Sequence, residues 1–160
     1  SDPSQIISAT CGDYLLIDEL TYRLREPERG EVVVFRYPKD EKLFFIKRVI
    51  GLPGERVEIA DGRITIINSE YPQGFTLDEN YISSTLETGG AEDITLAEDQ
   101  YFVLGDNRSF SLDSRSWGPV FKPEIIGLVG SIAAGIKVGM RGNPVVELRN
   151  VKKAIRSLLA

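Results

Sequence analysis

The chain predicts a mostly-β fold closed by one amphipathic helix, and three observations carry that prediction. Short apolar runs rich in Val, Ile, Phe and Tyr recur along it, punctuated by Gly, Pro, Asn and Asp. Val57 and Ile59 alternate with polar neighbours, as do Ile64 and Ile66, and Ala60-Asp61-Gly62-Arg63 between them is a hairpin signal. At the carboxyl end Val151, Ala154, Ile155, Leu158 and Leu159 recur at helical spacing, with Lys152, Lys153 and Arg156 opposite. The 160 residues suit one domain, residues 1–160, and a formal net charge of -5 gives no reason to expect nucleic acid. No apolar run approaches the roughly 20 residues needed to span a bilayer.

Strands are expected over residues 14–17, 31–37, 44–50, 56–59, 64–67, 101–104 and 125–138. The first follows Gly12-Asp13, the second follows Arg29-Gly30, and the third is closed by the turn Gly51-Leu52-Pro53-Gly54. The fourth and fifth form the hairpin. Residues 68–100 break the pattern, carrying Glu70, Asp78, Glu79, Glu87, Glu92, Asp93, Glu98 and Asp99 with no Lys or Arg. That composition describes an acidic, loop-rich excursion, either simply solvated or rimming a groove. After the strand at 125–138, Arg141-Gly142-Asn143-Pro144 turns the chain toward the terminal helix, residues 149–160. This basic helix either docks on the domain's own core or lies against anionic lipid.

Two runs carry chemistry. In Phe44-Phe45-Ile46-Lys47-Arg48-Val49-Ile50, strand alternation puts Lys47 on the face of Phe45 and Val49, and Arg48 on the face of Ile46 and Ile50. At least one cation therefore lies on a largely apolar face. On an edge strand it would snorkel to water. Buried, a lysine loses its ordinary pKa of about 10.4 and becomes a neutral amine able to act as a general base toward a serine hydroxyl. The second run, Gly105-Asp106-Asn107-Arg108-Ser109-Phe110-Ser111-Leu112-Asp113-Ser114-Arg115, sets two acid–Arg alternations around serines. Carboxylate–guanidinium pairs are rigid and bidentate, so the run is either a hydrogen-bonded structural turn or the wall of a site.

The chain contains no histidine, which excludes Ser-His-Asp hydrolysis, His-dependent cysteine proteolysis and His-containing zinc sites. Cys11 is the single cysteine and forms no internal disulfide; its plain role is a small buried hydrophobe. Lysine is then the base left for a hydrolase with a covalent intermediate.

Residues 47–55, Lys-Arg-Val-Ile-Gly-Leu-Pro-Gly-Glu, and residues 105–120, running on to Trp117-Gly118-Pro119-Val120, resemble the bacterial type I signal peptidases. Arg29-Gly30-Glu31-Val32-Val33-Val34-Phe35 is similar to a third signature of that family, and Gly12-Asp13-Tyr14-Leu15-Leu16-Ile17 to the segment just after its nucleophile. The resemblance covers residues 12–127, in the family's order. It implies a mostly antiparallel β-sheet catalytic domain of a Ser–Lys endopeptidase that removes signal peptides from secreted preproteins. It also implies substrates with small residues at the cleavage site, no metal or organic cofactor, and a place on the extracytoplasmic face of the bacterial cytoplasmic membrane. There the family is held by an N-terminal anchor, which would lie outside this chain.

On the same resemblance, Lys47 is the general base, Ser111 orients it, and Asp113, Arg115, Arg108 and Asp106 support the loop by ion pairs. The nucleophile segment departs from the family's Ser-Met-x-Pro-Thr-Leu-x-x-Gly-Asp. Counting back from Gly12 reaches Ser4, but Gln5, Ile6 and Ile7 follow it in place of Met-x-Pro, and Ser8 aligns with the family's Thr. Ser4 is the nucleophile candidate and Ser8 the fallback. Asp2 stands where the family often places an oxyanion-stabilising hydroxyl, and a carboxylate there would repel a developing oxyanion. Two alternatives remain: a Ser–Lys autoprotease like the SOS repressors, disfavoured by residues 105–115 and the lack of a DNA-binding half, and a non-catalytic peptide-binding scaffold of the same family.

Overall fold

The computed structural model of the protein describes residues 4–8, 13–18 and 21–134. Among the described residues eleven strands form two sheets, and their pairings are antiparallel. The larger sheet has seven strands: β1 (Ser4–Ser8), β2 (Asp13–Asp18), β3 (Val32–Tyr37), β4 (Asp40–Gly51), β9 (Gln100–Leu104), β10 (Val120–Phe121) and β11 (Ile125–Ala134). Their spatial order is β1-β2-β11-β3-β4-β9-β10. The smaller sheet has four: β5 (Arg56–Ala60), β6 (Arg63–Ile67), β7 (Phe75–Thr76) and β8 (Glu92–Thr95), in the order β7-β6-β5-β8. Two single-turn α-helices, α1 (Thr21–Leu24) and α2 (Ser114–Trp117), and a 3-10 turn at Lys122–Glu124 complete the described elements.

The mostly-β prediction holds, and the differences have local causes. The hairpin forms as read: Ala60 pairs with Arg63, and the turn takes positive φ at Asp61 (50°) and Gly62 (76°), as a two-residue turn of that twist requires. Strand β4 starts at Asp40, earlier than expected. Its first residues are polar and exposed, so hydrophobicity carries no signal, and pairing of Tyr37 with Asp40 recruits them. The acidic excursion contributes β7 and β8, short edge strands paired to the hairpin, with Phe75 and Ile94 packed against its core. The end of the strand expected over 125–138 and the helix at 149–160 lie outside the described residues.

Both faces of the larger sheet are covered at its centre, as buried sheets require. On one face Ile50, Phe102 and Leu104 pack against Val57, Ile59, Ile64 and Ile66 of the smaller sheet. On the other, Val33, Phe35, Val49, Tyr101 and Val103 form a second core with Val120, and Trp117 and Tyr22 pack against it. Each fully buried Ile, Val or Phe contributes about 1.5–3 kcal/mol of burial free energy, so the centre of β3, β4 and β9 is firmly held. Lys47 sits in that centre. Its strand is interior, between β3 and β9, which removes the edge-strand option.

Candidate active site

Lys47 pairs in register with Val33, two residues before Val49 pairs with Val103, so its side chain rises among the second core's residues. It is 6 % exposed. Burial holds its ammonium below the usual lysine range; the charges of Asp113 and Asp106 oppose that shift, and Arg115 adds to it. Arg48, on the opposite face, is satisfied quite differently. Its Nε and Nη2 fork onto Asp106 at 2.8 and 2.6 Å, Nη1 donates to the Gly30 carbonyl at 2.7 Å, and the guanidinium lies 4.2 Å from the Tyr81 ring centroid.

Residues 105–113 leave the sheet at the end of β9 and return through α2. Asp113 caps that turn, accepting from Arg115 N at 3.3 Å, and Gly118 ends it at φ 91°. Trp117 then packs on Phe35, ring centroids 5.7 Å apart, which pins the far end of the loop to the sheet. Inside the loop Asp113 is fully buried and does double duty. It accepts from Arg115 Nε and Nη2 at 2.9 and 2.8 Å and from Gly105 N at 3.1 Å. Arg115 in turn donates to the carbonyls of Arg108 (2.8 Å) and Gly89 (3.0 Å).

Gly105 is the floor between Lys47 and Ser111. A methyl group added there would lie 2.1 Å from Ser111 Oγ and 3.2 Å from Lys47 Nζ, which shows how closely both approach it. Ser111 Oγ is buried and accepts or donates no hydrogen bond among the described residues. Gly105→Ala is expected to force Ser111 outward and cost about 1–3 kcal/mol by overpacking, read as a lower denaturant midpoint. Phe110 (87 % exposed) and Leu112 (50 % exposed) flank Ser111 and face solvent beside this seat.

The structure brings together Lys47, Ser111, Asp113, Arg115, Arg108 and Asp106, but pairs them differently from their spacing along the chain. Asp106 serves Arg48, and Arg108 forks onto Glu79 of the acidic excursion. Thr88 and Glu79 were not singled out by sequence; eight acids without a local cation were the available sign that cations elsewhere would come to them. Asp93 also pairs with Arg56, but at the exposed surface; it is the Glu79 pair with buried Arg108 that makes part of this segment structural. Each arginine of the cluster thus meets a carboxylate, whereas Lys47 has no ion pair among the described residues.

The side chains of Ser4 and Ser8 lie outside the described residues. Their backbones are in β1, with Ser4 opposite Asp18 and Ser8 opposite Tyr14. The register runs from Ser4 through Asp18, Leu128 and Val33 to Lys47, so β2, β11 and β3 stand between β1 and β4.

Residues 4–133 match the family model described as signal peptidase, peptidase S26. The chain belongs to this family. Among curated signal peptidases it is 46% identical over 123 residues to probable signal peptidase I-2 of Synechocystis sp., which covers 72% of this chain and 52% of that protein. It is 38% identical over 132 residues to signal peptidase I of Leptolyngbya laminosa, covering 78% and 61% respectively. The chain therefore spans little more than half the length of these two relatives. A solved signal peptidase I from Enterococcus faecalis superposes with a TM-score of 0.54 at 32% identity, covering 65% of this chain and 97% of that one. Signal peptidase membership accounts for the mostly antiparallel fold; among the described residues no helix is long and apolar enough to cross a membrane.

Proposed function

We propose that this chain is the catalytic part of an endopeptidase that removes N-terminal signal peptides from preproteins at the extracytoplasmic face of the bacterial membrane. The observation that carries this reading is Lys47. It is the one cation of the cluster without a carboxylate partner among the described residues, and burial biases it toward the neutral amine beside a buried serine hydroxyl. In this reading, which requires Ser4 Oγ to come within hydrogen-bond reach of Lys47 Nζ, the neutral lysine takes the serine proton as that oxygen attacks the scissile carbonyl. The lysine then returns the proton to the departing amine, leaving an ester on Ser4. Water, deprotonated by Lys47, hydrolyses the ester and restores the serine. Ser111 orients the lysine, Asp113 with Arg115, and Arg108 and Asp106, hold the loop, and the backbone N–H of Ser4 is the oxyanion donor. Substrates lie extended by β-augmentation, small pockets select Ala-x-Ala, and the exposed Phe110 and Leu112 suit an apolar signal segment.

A second reading rests on the register of β1. Four strand steps of about 4.8 Å separate the backbones of Ser4 and Lys47 along the sheet, which favours a scaffold that binds signal peptides without turning them over. Cleavage of a preprotein bearing an Ala-x-Ala site separates the two. If Ser4 is the nucleophile, Ser4→Ala abolishes product and Ser8→Ala only weakens it. Loss on Ser8→Ala alone transfers the role to Ser8. Saturable binding by the parent with no product establishes the non-catalytic scaffold.

A further inference from the structure

We propose that Glu79, from the acidic excursion, is a positioning residue for Lys47: acting through Arg108, it fixes the Gly105 carbonyl and with it the dry seat that Lys47 shares with Ser111. The proposal rests on the reading of Lys47 as the base and extends it to a segment outside the family-like motifs.

The connection is continuous. The Arg108 side chain is fully buried, and its Nε donates to the carbonyl of Gly105 at 3.0 Å. Its two terminal nitrogens fork onto the Glu79 carboxylate, and Nη1 also donates to Thr88 Oγ1. A buried guanidinium with one partner removed is poorly tolerated, so without Glu79 the Arg108 side chain must move or draw in water. Either response releases the Gly105 carbonyl. Gly105 is the residue against which Lys47 Nζ and Ser111 Oγ both pack. Tyr81 reinforces the clasp: its hydroxyl donates to Glu79 at 2.7 Å while its ring lies under Arg48. Glu79 and Tyr81 thus touch both the loop and strand β4, from a segment that otherwise exposes most of its acids.

The charged groups acting on Lys47 are Asp113, Asp106 and Arg115, with burial the largest influence; Arg108 is not among them. Freeing the Arg108 charge therefore changes Lys47 chiefly by hydration, and hydration restores the ammonium. The test is residue-resolved acylation of lysines by an amine-reactive reagent, followed by mass spectrometry across the neutral to alkaline range. In Glu79→Gln the Lys47 labelling midpoint should rise by about one pH unit, a roughly tenfold loss of labelling at neutral pH. Thr88→Val, which removes an acceptor without freeing a charge, should shift it the same way by less. Exposed Lys39 and Lys42 should not change. An unchanged or lower Lys47 midpoint in both variants overturns the proposal, even if thermal stability falls. Should Glu79→Gln fail to fold, Thr88→Val decides alone. Labelling needs no turnover, so failure of the peptidase reading appears in the cleavage assay and failure of the clasp in the midpoint.

Discussion

Lys47→Met is expected to lower cleavage by about 10²–10⁴-fold, the range a positioned general base contributes, while making the protein more stable at neutral pH. The two effects have one origin. Burial depresses the folded-state pKa of Lys47 below its ordinary 10.5. Between those two values the unfolded chain binds more protons than the folded one, so stability rises with pH across that window. Below the folded-state pKa the penalty is present in full; above 10.5 it has vanished. Methionine fills similar volume and carries no charge, so the variant's advantage should be greatest at low pH and shrink as pH climbs toward that limit. Paired denaturation curves at several pH values measure this directly. A variant no more stable than the parent at neutral pH, or an advantage that grows with pH, would contradict a buried, readily deprotonated lysine.

Asp113→Ala should cost about 3–5 kcal/mol of stability, the penalty for breaking a pair whose carboxylate is fully buried and whose guanidinium is mostly so. The size follows from what Asp113 holds. It is fully buried, it receives two bonds from the Arg115 side chain, and it also accepts from the backbone N–H of Gly105. Its loss therefore frees a charge and a buried donor together, and Gly105 is the floor of the lysine seat. The Asp113→Ala/Arg115→Leu double variant removes the stranded charge and should recover part of the loss, leaving the Gly105 donor unsatisfied. Denaturant midpoints of parent, single and double variants decide it. A single variant within a few tenths of a kcal/mol of the parent would make this loop a solvated turn.

Part of the candidate site is legible in the sequence. Period-two alternation placed Lys47 and Arg48 on opposite faces, and two acid–Arg alternations marked residues 105–115 as a rigid loop; both are local properties of the chain. The pairing of those charges was not legible. Asp106 and Arg108 are two residues apart, yet their partners are Arg48 and Glu79, each brought close only by strand pairing and by the fold of the excursion over the loop. Composition alone could say that eight acids lacked local cations, not which arginines would reach them. Strand β1 was missed for a similar reason, because its five residues read as a motif segment and their β character depends on Asp13–Asp18 lying beside them.

Local sequence was enough for the β class, the hairpin at residues 60–63, the absence of histidine chemistry and the two runs, 44–50 and 105–115, that meet at the candidate site. Those follow from side-chain periodicity, turn stereochemistry and composition, which need no neighbours distant in the chain. Tertiary packing left Lys47 buried and without an ion pair among the described residues, while buried Arg108 and the partly exposed Arg48 and Arg115 each received a carboxylate. Placing β4 between β3 and β9 removed the lysine's route to water, and the long-range carboxylates went to guanidinium groups, whose planar forks match them bidentately. The charge state of a buried group is set by what surrounds it in three dimensions, and no local pattern encodes that.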